Sequence, residues 1–214
     1  MVLGSVPLAI SRNKLKLIYQ VFDYKTKIIL ASSSRYRADL LSRLGLAFEP
    51  WSPSVDESAL SGERCVDTAR RLARLKAEAG HRRFPGAIVI GSDQVADLDG
   101  TPINKPGTLE LAREQLRQLS GRTACFHTAL CLIGAAGPRE AVVPTTVRFR
   151  PLSLGEIDRY LDKEPAIDCA GSAKSEGLGI SLLEAMTGDD PTALVGLPLI
   201  ALAAMLRAEG LPVP

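Results

Sequence analysis

Two short apolar runs constrain this 214-residue chain more than any other feature. Lys27-Ile28-Ile29-Leu30-Ala31 runs straight into Ser32-Ser33-Ser34, and Ala87-Ile88-Val89-Ile90 runs straight into Gly91-Ser92-Asp93-Gln94. Runs of four or five apolar residues, closed abruptly by small polar ones, read as buried strands. Behind the first, Leu40, Leu41 and Leu44 recur at helical spacing over Arg35–Leu44, and Gly45 supplies a stop. The local pattern is therefore strand, serine loop, helix.

The rest of the chain alternates in the same way. Ala47–Trp51 reads as extended, and a helix is expected from about Arg64 to Ala79 with Gly80 ending it. Asp99-Gly100 is a hairpin-type turn. Asn104-Lys105-Pro106 reads as an extended loop, and Thr108 can cap a helix closed by Gly121. Two strands are expected over Ala124–Ile133 and Ala141–Arg150, joined through Gly134–Pro138. Ser153-Leu154-Gly155-Glu156 is a capping box. Cys169–Gly179 reads as a loop of small residues, and Pro198–Gly210 as an apolar helix. Strands and helices alternate without strict βαβ order, which predicts an α/β fold with a mixed sheet flanked by helices. Residues 1–27 read as a frayed N-terminal extension and 28–214 as a single domain, with Pro151 the best place for a junction between lobes.

Several functions are disfavoured at this level. The formal net charge is only +2, from 26 basic and 24 acidic residues, whereas a phosphate backbone selects a much more basic face, so nucleic acid is not an expected partner. Ala193–Leu206 is an apolar stretch of 14 residues, short of the ~20 that cross a bilayer, so no membrane partner is expected either. Cys65, Cys125, Cys131 and Cys169 form no Cys-x-x-Cys pair, which suits reduced thiols in a cytoplasmic protein. The common glycine-rich phosphate loops, the His-Glu-x-x-His motif and the Gly-x-Ser-x-Gly elbow are all missing. Of the two histidines, His81 reads as a solvated helix-end residue and His127 as a structural strand residue.

Five polar clusters remain. Ser32-Ser33-Ser34-Arg35-Tyr36-Arg37 would open a helix, where free backbone N–H groups and the dipole favour an anion. Asp56-Glu57 follows an extended stretch. Asp93 sits directly behind a buried run, where a carboxylate costs several kcal/mol unless a cation or donors compensate. Lys105 is held beside a proline, and Gly171–Gly177 carries Ser172, Lys174, Ser175 and Glu176. Each cluster alone also suits an ordinary solvated loop. Together they supply anion donors, carboxylates and lysines, the inventory of phosphoryl chemistry assisted by a divalent ion.

These motifs, in order, resemble the Maf family of nucleotide pyrophosphatases: Ala31–Leu41, Val55-Asp56-Glu57, Gly91–Val95, Lys105-Pro106, Gly171–Gly177, and Asp190-Pro191 followed by Leu194–Pro198. The resemblance covers about Ile28 to Gly210. It leans to the YceF-type branch, associated with 7-methylguanosine triphosphate, through Gln94 and Glu176. The resemblance implies a twisted sheet with two lobes around a deep cleft, and cleavage between the α- and β-phosphates of a nucleoside triphosphate. It implies Asp93 as the catalytic base; Ser32, Arg37, Glu57, Lys76, Lys105 and Lys174 as substrate-binding residues; and Tyr36, Gln94 and Glu176 as the residues that select the base. A divalent cation, Mg²⁺ or Mn²⁺, is implied as cofactor with Glu57 and Asp93 as its ligands, and a homodimer as the assembly. The chain has Tyr36 where relatives tend to have Trp. Either ring can stack on a cationic purine. The rival readings are a dTTP- or UTP-type Maf pyrophosphatase and a non-catalytic nucleotide-binding regulator of septum formation.

Overall fold

The computed structural model describes residues 26–213. The expected extension, apart from Thr26 and Lys27, lies outside the described residues. Lys27 already belongs to the fold: its Nζ lies 2.7 Å from Glu49 Oε2 and over the Phe84 ring.

A seven-stranded mixed sheet forms the centre. Strand β1 (Ile28–Leu30) lies between β2 (Glu49–Pro50) and β3 (Ile88–Leu98), parallel to both. On its other side β3 pairs antiparallel with β5 (Thr123–Gly134), which pairs with β6 (Gly137–Phe149), and β7 (Leu183–Thr187) closes that edge. The short β4 (Thr101–Ile103) folds back on the end of β3. The turn is the expected one: Asp99 and Gly100 both adopt positive φ, and the Gly100 N–H donates to Asp97 Oδ1. Helices α1 (Arg35–Ser42), α2 (Cys65–Arg83), α3 (Leu109–Leu119), α4 (Leu154–Lys163) and α5 (Leu199–Ala208) flank the sheet.

Several expectations change in detail. Gly80 does not end α2; it is buried inside it, against β3, where a Cβ would come within 2.6 Å of Val89 Cγ1. The glycine is there for close packing, and α2 runs on to Arg83. His81 therefore lies in the last turn, a helix-end residue as expected, but it is half-buried, and its Nδ1 is buried without a hydrogen-bond partner among the described residues. The link between β5 and β6 is a two-residue turn, Ala135-Ala136, because Gly134 and Gly137 already pair across it. Strand β7 has no counterpart in the sequence reading, where its residues carry no clear alternation. The capping box forms as read, with the Ser153 N–H donating to Glu156 Oε2 at 2.8 Å.

Two large apolar clusters sit on this one sheet. The first joins the far half of β3 to α3, α4 and β6 through Leu116, Leu119, Phe126, Phe149 and Ile157. The second joins the near half of β3 to β1, α1 and α5 through Leu30, Leu40, Ile90, Leu130 and Leu202. Phe149 and Ile157 share a cluster, so no boundary falls at Pro151.

Candidate active site

The division between the clusters coincides with a gap in the sheet. β1 pairs with β3 only as far as Ile90, and β4 takes over only at Ala96. Between them, residues 91–95 of β3 have a strand partner on the β5 side alone. A cleft of about 820 Å³ opens over this gap. Asp93 is thus not at the tip of a strand, as the four-residue apolar run suggests. It lies in the middle of an 11-residue strand, paired with Ala129. The strand continues through the polar cluster because its ladder to β5 is unbroken from Val89 to Asp97.

Strand alternation then sorts the cluster. Gly91 and Asp93 face α2. The Ala73 carbonyl and Ala77 N–H crowd the Gly91 α-carbon so closely that an added Cβ would lie 2.2 and 2.6 Å from them. This approach brings Lys76, on the same helix, over Asp93: Nζ to Oδ1 is 2.7 Å. Lys76 is 5% exposed and Asp93 7%, so the pair is a buried, charge-assisted hydrogen bond. Glu57, in the exposed loop before α2, reaches the same ammonium at 2.9 Å. The loop is clamped by Glu63, which accepts from Arg71 Nε and Nη2, both at 2.7 Å, and from Thr68 Oγ1 and the Leu60 N–H. Arg71 above all holds the Glu63 carboxyl at about 2, well below the usual carboxylate range. Arg71 also donates to the Ser58 carbonyl, next to Glu57 in sequence.

Ser92 and Gln94 face the opposite side and tie the strand to the loop before α5. Ser92 Oγ donates to the carbonyls of Ala129 and Gly196. Gln94 Nε2 is within 3.0 Å of Thr128 Oγ1 and the carbonyls of Ala193 and Leu194. The Gln94 donors are therefore spent on the scaffold, although the residue does line the cleft. The Gly196 carbonyl also accepts from Arg37 Nε at 2.9 Å, and Arg37 Nη1 reaches Ser32 Oγ at 3.3 Å. Burial pulls the Arg37 guanidinium below its ordinary range, with Asp93 and Glu57 pulling the other way. Ser34 caps α1 by accepting from the Arg37 N–H. Asp190, behind this loop, is buried and accepts from the N–H groups of Thr192 and Ile200, so the Asp190-Pro191 motif caps α5 and builds the scaffold.

All ten residues singled out from the sequence line this one cleft: Ser32, Tyr36, Arg37, Glu57, Lys76, Asp93, Gln94, Lys105, Lys174 and Glu176. Lys105 enters from the exposed loop after β4 and forms no ion pair with any described residue. The sequence reading passes over Asp168. This carboxylate accepts from Tyr36 Oη at 2.9 Å and lies 3.0 Å from Lys174 Nζ, joining α1 to the loop that carries Glu176. No local pattern marks it: Tyr36 is 132 residues away, and Lys174, six residues on, meets it across an irregular loop. His127 is structural in placement, 3.4 Å from Asp97 Oδ2 on the sheet. All four cysteines are free thiols, and Cys65 and Cys169 are pushed up by burial to about 11 and about 12, which removes them as nucleophiles near neutral pH.

The fold and site define a class: a mixed-sheet protein whose central strand is interrupted on one side to expose a buried carboxylate–lysine pair, facing a helix N-terminus and unpaired basic groups suited to a polyanion. The chain belongs to the Maf-like protein family, whose model matches residues 27–209. It is 57% identical to a 7-methyl-GTP pyrophosphatase of Xanthomonas oryzae over 188 residues, 88% of this chain and 99% of that protein. It is 56% identical to a 7-methyl-GTP pyrophosphatase of Aromatoleum aromaticum over 191 residues, 88% of this chain and 98% of that one. A solved HAM1 protein from Coxiella burnetii overlaps 58% of this chain and 73% of its own, with a TM-score of 0.43 and 20% identity. No helix among the described residues is long and apolar enough to cross a membrane.

Proposed function

We propose that this chain hydrolyses the bond between the α- and β-phosphates of 7-methyl-GTP, giving 7-methyl-GMP and pyrophosphate. The observation that carries the reading is the buried Asp93–Lys76 pair, reached by Glu57 from an exposed loop, in a nucleotide-sized cleft, in a chain more than half identical to named 7-methyl-GTP pyrophosphatases over nearly their whole length.

Lys76 holds one oxygen of Asp93, and no described residue hydrogen-bonds the other. That free Oδ2 is the oxygen assigned to the attacking water. As the water oxygen bonds to the α-phosphorus, its proton passes to Asp93. The bond from the α-phosphorus to the bridging oxygen breaks, and pyrophosphate leaves. Arg37, Ser32 and the N–H groups opening α1 receive phosphate oxygens, and Lys105 adds an uncommitted positive charge. Tyr36 and Glu176, which also line the cleft, are assigned to the base: the ring face and the carboxylate both favour a purine made cationic by N7-methylation.

The donor set also bears on the implied divalent ion. Among the described residues no group of three His, Cys, Asp or Glu side chains is placed to hold a metal by itself. Two carboxylates, Glu57 and Asp93, both reach the Lys76 ammonium and so stand close together, and one or two carboxylates plus substrate phosphates is the arrangement Mg²⁺ accepts. The residues therefore fit Mg²⁺ or Mn²⁺ bound together with the nucleotide, with Lys76 sharing the carboxylates. Such an ion would offset phosphate charge and favour departure of pyrophosphate.

A screen of pyrophosphate release across nucleoside triphosphates with Mg²⁺ or Mn²⁺ tests the reading. Release from 7-methyl-GTP well above that from GTP, dTTP and UTP is expected. Preference for dTTP or UTP would overturn the substrate assignment, and no release from any triphosphate would overturn the activity.

A further inference from the structure

Asp168 stands where three elements of the cleft meet. Its Oδ2 accepts from Tyr36 Oη at 2.9 Å and its Oδ1 lies 3.0 Å from Lys174 Nζ. Arg35 Nη2 donates to the same Tyr36 hydroxyl at 3.0 Å and approaches Asp168 at 3.8 Å. The Arg35 guanidinium is 4.9 Å from the Tyr36 ring centroid and the Lys174 ammonium 5.7 Å, so the ring already attracts two cations. Burial pulls Lys174 down, but Tyr36 and Asp168 outweigh it and leave the ammonium above its ordinary range. Glu176, two residues beyond Lys174, lines the same cleft as Asp168 and Lys174.

A cationic ring entering here faces a simple electrostatic problem. Arg35 and Lys174 would repel it, and Glu176 alone would balance only one of them. With Asp168 the two cations meet two carboxylates. We propose that Asp168 is a specificity-determining positioning residue: it offsets one of the two positive charges of Lys174 and Arg35 and fixes the Tyr36 ring, so that a positively charged purine is admitted rather than repelled. This rests on the function proposed above, since it concerns the base end of that same site. A neutral purine gains nothing from the charge balance, so Asp168 acts on the difference between methylated and unmethylated bases.

The test measures binding of 7-methyl-GMP and GMP by titration calorimetry, with pyrophosphate release from the two triphosphates followed in parallel. In Asp168→Asn the shape and the acceptor for Tyr36 survive and the charge is lost. The preference for the methylated nucleotide is expected to fall about tenfold, the size of one partly screened charge at short range. Lys174→Met removes the opposing charge and is expected to raise the preference, an effect of opposite sign that loss of folding cannot produce. The double variant Asp168→Asn/Lys174→Met is expected to return towards the wild-type ratio. A wild type without preference, an unchanged ratio in Asp168→Asn, an equal loss for both nucleotides, or a fall in Lys174→Met would each overturn the proposal. If the wild type releases no pyrophosphate but its binding preference follows Asp168, the inference stands and the enzymatic reading falls; pyrophosphate release with a preference indifferent to Asp168 gives the converse.

Discussion

Gly91→Ala probes the contact that assembles the catalytic pair without touching either member. An alanine Cβ at this position would sit 2.2 Å from the Ala73 carbonyl oxygen, 0.8 Å short of the 3.0 Å below which real Cβ contacts essentially never occur. The crowding atoms are helix backbone, so no rotamer change relieves them, and α2 must move off β3 by most of that distance. Overpacking of this kind costs about 1–3 kcal/mol. For a domain of this size each kcal/mol lowers Tm by about 2–4 °C, so a fall of about 2–12 °C is expected. The same movement would stretch the 2.7 Å Lys76–Asp93 contact towards 3.5 Å, past the range of charge-assisted hydrogen bonds. Loss of kcat by about tenfold to a hundredfold should follow from a displacement near 1 Å in the site. Thermal melting by circular dichroism and a pyrophosphate-release assay read the two effects. Gly155→Ala is the control: its glycine lies in α4 with only the flexible Arg159 side chain near its added Cβ, and equal or slightly higher stability is expected. A Gly91→Ala protein with wild-type Tm and activity would refute the view that close helix–strand packing sets the site.

Asp93→Asn should lower pyrophosphate release by at least about a hundredfold, the contribution of a positioned general base, while the far-ultraviolet spectrum stays native; full activity would remove Asp93 from the mechanism. Acid should loosen the loop that carries Glu57. Glu63 has a folded pKa of about 2 against an ordinary 4.5, so its contribution is complete above about pH 4.5 and is lost as pH falls towards 2. Thermal melts from pH 6 to 2 should fall less steeply for Glu63→Gln, and parallel curves would contradict this. The thiols of Cys65, Cys131 and Cys169, held at about 11 to about 12 mainly by burial, should resist iodoacetamide at pH 8, where no more than about one in a thousand is thiolate. Peptide mass spectrometry that finds rapid alkylation of Cys169 in the native protein would show a more open cleft than described here.

Much of this arrangement is legible in the sequence because local rules happen to dominate there. The apolar run before Ser32, the Ser34 cap and the capping box at Ser153–Glu156 depend on neighbours within a few residues, and the structure has each of them. The polar clusters are legible as strand-end and loop residues carrying phosphate-binding chemistry, and each contributes residues to one cleft. What was illegible depends on remote packing. Nothing local says that β3 continues through Asp93, because the ladder that holds it comes from β5. Gly80 and Gly91 read as a helix stop and a loop glycine, yet both are sites where α2 lies against β3. Nothing local says that the Gln94 amide donates to the carbonyls of Ala193 and Leu194, about a hundred residues away. Asp168 gave no signal at all, since its importance lies in two partners brought to it by α1 and by the loop bearing Lys174.

Turnover of 7-methyl-GTP in ¹⁸O-enriched water bears most directly on the role given to the cleft. If Asp93 directs water onto the α-phosphorus, the heavy oxygen appears in 7-methyl-GMP and the pyrophosphate stays unlabelled. Label in the pyrophosphate, or in inorganic phosphate with 7-methyl-GDP as the other product, would mean that attack falls on a different phosphorus and that the constellation around Lys76 does something else.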